Sequence, residues 1–412
     1  MIRRRHVLYV EGYDPQGAAG YHALFARELK RFLRVWPLQA SVGELAVDSD
    51  DLAHWTIETT GPGWQVVTRY EFVRLEAVIS ANLALPIARQ VLRGGRWMLD
   101  DLLSGTSFRI FRASWRFALH LFLFQAMLIV WVAISLAGGA VIAWSAAAFF
   151  GWPAFAVALL AAVAAIAIFA GLVPLAERWM VIRIVNCWPH LREFGRGAPS
   201  GYNRPVEVLA QRIVAAARSG DADEILIVGH SAGSAAGVAA VARALELDPD
   251  LGRHRPRVTY LTVGSLVPAL ALHPAAERMR AAIRRLAVDP AVLWVECQEH
   301  MDVMNFWGFD PVAGCGVDVG AQRHNPTIWN VRLRDMLAPA FFRRFRWSFF
   351  RLHYQLVMAN HVRAPYDYFM LVCGPLPIAS WAKDPAGALA QFDADAGLLE
   401  DRARKERIVS SE

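Results

Sequence analysis

The stretch EILIVGHSAGSAAG, residues 224–237, decides the fold. Its first half is a short aliphatic run, the pattern of a strand buried on both faces of a parallel sheet. Its second half is rich in alanine, glycine and serine and opens a helical run to about Leu247. Between them stands Gly229-His230-Ser231-Ala232-Gly233, a Gly-x-Ser-x-Gly match. Alone the match is weak: at ordinary glycine usage of about 7%, roughly one chain of this length in ten carries one by chance. Its position between strand and helix gives it content. A strand-to-helix elbow strains the backbone at the serine, and flanking glycines remove the Cβ atoms that would collide there. The Ser231 hydroxyl then stands exposed above the sheet, and free N–H groups at the helix start face any oxyanion formed beside it. The alternative for the same residues is a tight turn with an inert serine.

Around this centre, strands and helices alternate. HVLYV (6–10) reads as a strand, followed by a helix near 20–35. WTIETTGPGWQVVTRYEFVR (55–74) reads as two strands joined at Gly61-Pro62-Gly63, and a helix is expected over 74–103. NRPVEVLAQRIVAAAR (203–218) is helical by spacing, with Asn203 as its cap and Pro205 in its first turn. RVTYLTVGS (257–265), AVLWVECQ (291–298) and TIWNVRL (327–333) are further strands, with a helix at 275–287 between the first two. This alternation predicts an α/β fold with a doubly wound, mostly parallel sheet.

Of the 412 residues, 55% are hydrophobic and 19% charged. The apolar excess is concentrated: from Phe117 to Ala176 there is no Asp, Glu, Lys or Arg. That is about three times the ~20 residues one membrane span needs. Two spans are expected, 117–146 and 153–176, turning at FFGWPAF (149–155), where Gly151 and Pro153 break a helix. Gly138-Gly139 marks a kink in the first span or its true end. His120, near one end, is its one ionisable group. A buried hairpin of a soluble protein would carry charge on one side.

Arg109, Arg112 and Arg116 precede the stretch and Arg178 and Arg183 follow it, so both flanks are expected on the cytoplasmic side. The expected layout is an N-terminal part of one α/β domain at 1–110, a transmembrane hairpin insertion at 111–180, the rest of the domain at 181–385 and a polar tail at 386–412. Within that tail EDRARKERIVSSE (400–412) is expected to be frayed. The basic start MIRRRHVLYVEGYDP has too short an apolar run for a signal peptide. These features predict a multi-pass protein of the inner membrane with the catalytic domain and both termini in the cytoplasm.

The net charge of +6 comes mainly from arginine, and no zinc-finger spacing or basic helix with heptads accompanies it. An anionic membrane surface accounts for it better than nucleic acid. Cys187, Cys297, Cys315 and Cys373 form no CxxC pair, as free thiols of a reducing compartment would not.

GHSAG after EILIV resembles the α/β-hydrolase superfamily, in the histidine-before-serine form common among its lipases, esterases and thioesterases. HVLYVEGYDPQG (6–17) resembles the strand and loop that donate a second oxyanion N–H in that fold. The resemblance extends in outline over residues 1–100 and 200–380, and also to bacterial membrane-associated members; the apolar insertion departs from the usual pattern. It implies Ser231 as nucleophile, Ala232 as the first oxyanion donor and Tyr13, in the Gly12-Tyr13-Asp14 turn, as the second. The loop lacks the repeated glycines of some lipases. The superfamily's order of serine, acid, histidine then points to Asp302, with Asp310 and Glu299 as alternatives. For the base it points to His353, with His361 next; His324 precedes the last strand and fits the order poorly.

The chemistry implied is hydrolysis of an acyl ester through an acyl-enzyme, with no metal and no cofactor. An acyltransferase or thioesterase with the same triad, and an inactive membrane scaffold of this fold, remain open. FFRRFRWSFFRLHY (341–354) mixes aromatics with arginine beside the expected base. It reads either as an interfacial segment opening the site toward lipid or as an ordinary amphipathic helix. The expected partners are membrane lipid and a lipid or other apolar ester substrate; the oligomeric state is not fixed.

Overall fold

The computed structural model describes residues 1–399. Nine strands form one mixed, mostly parallel sheet: β1 (Arg4–Val10), β2 (Gln39–Val42), β3 (Ala46–Val47), β4 (Leu52–Gly61), β5 (Trp64–Val73), β6 (Glu224–His230), β7 (Arg257–Val263), β8 (Val292–Glu299) and β9 (Thr327–Val331). Their order is β2-β4-β5-β1-β6-β7-β8-β9, with β3 paired to β4. From β5 to β9 along this order every pairing is parallel, and β4 joins β5 antiparallel.

The central strands explain their own composition. Successive side chains alternate between faces. Leu8 and Val10 of β1, with Ile225 and Ile227 of β6, enter one core. Val7 and Tyr9, with Leu226 and Val228, enter the other. Helices Asn203–Ser219, Gly233–Leu247 and Glu277–Val288 cover the first face, and Gly17–Phe32 with the short C-terminal helices covers the second. After β1 the chain builds outward through β4 and β5 on one side; from β6 it builds through β7, β8 and β9 on the other. Such a reversal leaves a crevice beyond the carboxyl ends of the two strands, here β1 and β6.

Several local expectations shift. The 74–103 segment is two helices, Glu76–Leu83 and Ile87–Leu103, because Pro86 interrupts the ladder. The short edge strands β2 and β3 carry too few residues to show a period. Helix Val181–Gly195 has Pro189 inside it, which hides its pattern. Tyr202, not Asn203, is the residue before helix Asn203–Ser219, and no side chain caps it. The expected polar tail at 386–412 starts later, since Ala388, Phe392, Ala396 and Leu398 are buried. The segment 400–412 lies outside the described residues.

The apolar insertion is a helical hairpin, Trp115–Phe150 and Ala154–Arg178, whose 36 and 25 residues are long and apolar enough to cross a membrane. At ~1.5 Å per residue they measure about 54 and 37 Å, against a hydrocarbon core of about 30 Å. Both run beyond the expected 117–146 and 153–176. The first passes unbroken through Gly138-Gly139. Gly139 serves close packing, since a Cβ there would lie 2.8 Å from the Ala165 nitrogen. The chain reverses at 151–153, with Gly151 at φ +62°.

The excess length of the first helix has a use. Its buried residues Phe117, Leu121, Phe124, Leu128, Trp131, Ser135, Gly139 and Ala143 follow a spacing of three or four, one stripe along the helix. At the foot, Phe117, Ala118 and Leu121 join the core of the α/β body. Above them Phe124, Leu128 and Trp131 pack with Ala176, Val181, Ile182 and Val185. The hairpin therefore grows out of the body through a packed stem, and its far end exposes Phe149 and Phe155.

Candidate active site

At the carboxyl end of β6, Ser231 takes φ +54°, a left-handed conformation uncommon outside glycine. The turn is pinned on both sides. The Ser231 amide donates to the Val263 carbonyl at 2.9 Å, and the Ser234 hydroxyl donates to the Ser231 carbonyl at 2.6 Å. The flanking glycines are needed for space: a Cβ on Gly229 would sit 2.7 Å from Ser234 Cα, and one on Gly233 would collide with the carbonyls of Val10 and Glu11. The helix start thus rests directly on the end of β1. The loop after β1 comes equally near, since a Cβ on Gly12 would lie 3.0 Å from Ser231 Cβ. Among the described residues, the Tyr13 and Ala232 amides donate no hydrogen bond, and both residues line the same cleft as Ser231.

At the same carboxyl end of the sheet stand Asp302, in the loop after β8, and His353, on the short helix Phe349–Gln355. His353 Nδ1 lies 2.7 Å from Asp302 Oδ2, and both side chains are buried. The other Asp302 oxygen accepts from the Met304 amide at 2.9 Å. His353 Nε2 is buried and has no partner among the described residues. Ser231 and His353 line one cleft, but their side chains are not hydrogen-bonded to each other.

The alternative residues stand elsewhere. Asp310 is held by Arg323 at 2.6 and 3.1 Å and accepts from the Val312 amide at 2.9 Å, an ion pair closing a turn. Glu299 binds the amides of Met301, Asp302 and Leu333, so it shapes the loop that carries Asp302; burial raises its carboxyl to about 7. His361 packs on Phe341 with ring centroids 4.4 Å apart, and His324 is exposed.

Three aromatic residues support the cleft around Ser231 and His353. The His230 ring stacks on it at 4.8 Å, with Nδ1 3.2 Å from the Tyr9 hydroxyl. Burial, and then the neighbouring His353, hold His230 well below the usual histidine range, so it is neutral. Tyr354 donates to Asp14, which also accepts from the Gln16 amide. Tyr13 stacks on His190, its hydroxyl 3.5 Å from Asn186 Nδ2.

The cleft encloses about 860 Å³, its open mouth included. Its floor is Gly12, Tyr13, Asp14, Ser231, Ala232 and His353. Its roof comes from the hairpin foot, Phe117, His120 and Leu121, and from Arg183, Ile184, Cys187, Trp188 and Leu191 of helix Val181–Gly195. The 341–354 segment forms two short helices, Pro339–Phe345 and Phe349–Gln355, rather than one; Phe349 and Phe350 meet the His120 ring edge-on, and Trp347 is exposed. No short motif announces the roof, because it assembles residues from both sides of the hairpin.

Elsewhere, Asp100, Asp101 and His273 lie near enough to share an ion, but Arg196 and Arg192 already engage the two carboxylates at 3.2 and 3.0 Å. That group is an ion-pair network. Comparison with family models, with curated proteins and with solved structures returned no match for this chain.

Proposed function

We propose that the chain is a membrane-anchored serine hydrolase of the α/β-hydrolase type that cleaves an acyl ester of a lipid or another apolar molecule. One observation carries this reading: a strained Ser231 opens the same cleft as a His353 whose Nδ1 is fixed by Asp302 and whose Nε2 is left without a partner. A buried imidazole nitrogen without a partner is costly, and a hydroxyl arriving with substrate would satisfy it. Hydrogen bonds of this kind are often loose in unliganded sites and tighten in the Michaelis complex.

In the proposed reaction His353 Nε2 takes the Ser231 proton as Oγ attacks the acyl carbonyl. The Ala232 and Tyr13 amides, both without another partner among the described residues, stabilise the oxyanion. His353 then protonates the departing alkoxide, leaving an acyl group on Ser231. Water, deprotonated by His353, attacks that ester, and the acid leaves as Ser231 regains its proton. Asp302 keeps the imidazole in the tautomer that presents Nε2 as a base.

Membrane anchoring rests on the two long apolar helices and on what precedes them. Helix Ile87–Leu103 turns Leu92, Leu99, Leu102 and Leu103 outward beside Arg89 and Arg96, and Phe108, Phe111 and Trp115 continue the exposed apolar surface to the hairpin. An outward apolar stripe flanked by arginine suits the headgroup layer. The arginines on both flanks favour a cytoplasmic body with the hairpin tip on the far side.

Labelling of detergent-solubilised protein with a fluorophosphonate probe tests the reading. Wild type is expected to label, and Ser231→Ala and His353→Ala are not. A folded wild type that stays unlabelled in detergent and in lipid vesicles would overturn it.

A further inference from the structure

The roof of the cleft holds a charge that the proposed reaction does not use. Arg183 is the one Lys or Arg among the lining residues, and it makes no ion pair or hydrogen bond with any described residue. Several arginines of the same region are committed, Arg93 to Glu193, Arg192 to Asp101, Arg196 to Asp100 and Arg116 to the His300 carbonyl, and Arg178, also without an ion pair, is exposed and outside the cleft lining. The one acid lining the cleft, Asp14, is engaged by Tyr354 and Gln16 instead. A guanidinium half-sheltered in an apolar wall without an anion loses hydration and regains nothing.

Its position is also specific. Arg183 stands five residues after the end of the second hairpin helix, past a turn in which Met180 takes φ +59°. From there one helix face presents Arg183 and Ile184, then Cys187 and Trp188, then Leu191, over about 12 Å. A cation near the start of this helix is thus followed by apolar side chains that line the same cleft as Ser231. A ligand matching both has an oxyanion at one end and an acyl chain at the other.

Resting on the hydrolase reading, we infer that the substrate is an acyl ester bearing an anionic group, a phosphate in the first instance, and that Arg183 binds that group. The guanidinium fork suits phosphate oxygens in a bidentate geometry that lysine cannot reproduce. A monoacyl glycerophosphate lipid has the required parts; a soluble short-chain acyl glycerophosphate shares the anion but lacks the chain.

The test compares kcat/KM of the full-length, detergent-solubilised protein on oleoyl-glycerol phosphate, neutral oleoylglycerol and butyryl-glycerol phosphate. Wild type is expected to prefer the anionic oleoyl ester over the neutral one by about ten-fold or more, the scale of one charge-assisted hydrogen bond. Arg183→Gln should erase most of that preference through KM, and Arg183→Lys should keep part of it, reading the same ratio if the glutamine variant does not fold. Butyryl-glycerol phosphate as the better substrate would assign the site to a soluble anion. An unchanged anionic-to-neutral ratio in both variants would overturn the inference.

Binding of the two oleoyl lipids to Ser231→Ala protein, read by native mass spectrometry with and without Arg183→Gln, separates the two claims. Labelling of Ser231 without anionic preference sinks the inference alone. Arg183-dependent lipid binding by a protein that never labels sinks the hydrolase reading, and the substrate claim with it, and leaves Arg183 as the anion-binding group of a lipid site.

Discussion

The cleft over Ser231 has two walls held by different forces. The floor is backbone: a methyl on Gly233 would collide with the end of β1, one on Gly229 with Ser234 and Tyr260, and one on Gly12 would press on Ser231. The roof is side-chain packing: Phe117 and Leu121 of the hairpin foot, with Trp188 and Leu191, belong to the apolar core on one face of the sheet. A floor of this kind fixes atoms to fractions of an ångström, as proton transfer and oxyanion stabilisation require. A roof of this kind sets shape and polarity, and can change its choice of ligand while the floor stays as it is. In the proposed function, the floor determines the reaction and the roof selects the ester.

The comparison breaks first at the floor. Ser231→Ala is expected to lower ester hydrolysis by about 10⁴-fold or more, the scale of removing a member of such a triad. Asp302→Asn should approach that loss, because the amide would present its N–H to His353 and favour the wrong tautomer. Initial rates on a chromogenic ester, with circular dichroism as a check on folding, decide it. Residual activity within ten-fold of wild type in Ser231→Ala would remove the floor from the chemistry.

The roof responds in stability. Phe117→Ala deletes a ring that is 4% exposed and packs on Trp188 and Phe306. It is expected to cost about 3–5 kcal/mol, the scale of a large core deletion. Phe155→Ala, at a ring 76% exposed near the hairpin tip, should change stability by less than about 0.5 kcal/mol. Denaturant unfolding in one detergent gives both values. Equal effects would mean that stem and tip are not distinct, and that the hairpin does not brace the site.

The two walls also differ in how far the sequence revealed them. EILIVGHSAG carried the β6 strand, the turn and the helix start, because each follows from local rules: β-branched burial, glycine at a collision, small residues at a close helix. Asp302 and His353 followed from chain order and meet at 2.7 Å, whereas the ion pair of Asp310 with Arg323 matches the turn that Asp-Pro suggested. The roof had no such signature. Phe117 and Leu121 look like membrane residues in an uncharged run, and only the stripe from Phe117 to Ala143 distinguishes a stem that packs from a segment that faces lipid. Arg183 read as a topological flank; its place in the cleft depends on the turn at Met180, which no residue preference announces.

A smaller test of the floor is Gly12→Ala. The new methyl would lie 3.0 Å from Ser231 Cβ and 3.4 Å from Oγ, so the loop after β1 must shift by a few tenths of an ångström. The Tyr13 amide shifts with it. A loss of about 10²-fold in kcat with little change in KM is expected, since displacement of this order misaligns oxyanion donors without touching the acyl slot. A rise in KM alone would place Gly12 in binding rather than in the reaction.

The mildest effect concerns Glu11, the residue before Gly12. Its carboxyl is buried and makes no well-formed hydrogen bond among the described residues; the Leu75 amide approaches it and offsets the effect of burial only in part. Burial, then the nearby carboxyls of Glu76 and Asp14, raise it well above the ordinary value of 4.5. The folded state therefore holds this proton more tightly than the unfolded chain. The stabilisation is complete below about 4.5 and drains away as pH rises toward the folded value, because the unfolded state releases its proton first. Glu11→Gln cannot ionise. Its melting temperature relative to wild type should rise between about pH 5 and pH 8, by a few degrees at the upper end. Glu296 and Glu299, both raised to about 7 by burial, stay in both proteins and cancel in that difference. Parallel melting profiles would mean that Glu11 finds a partner in solution, and the floor would then owe its rigidity to the glycine contacts alone.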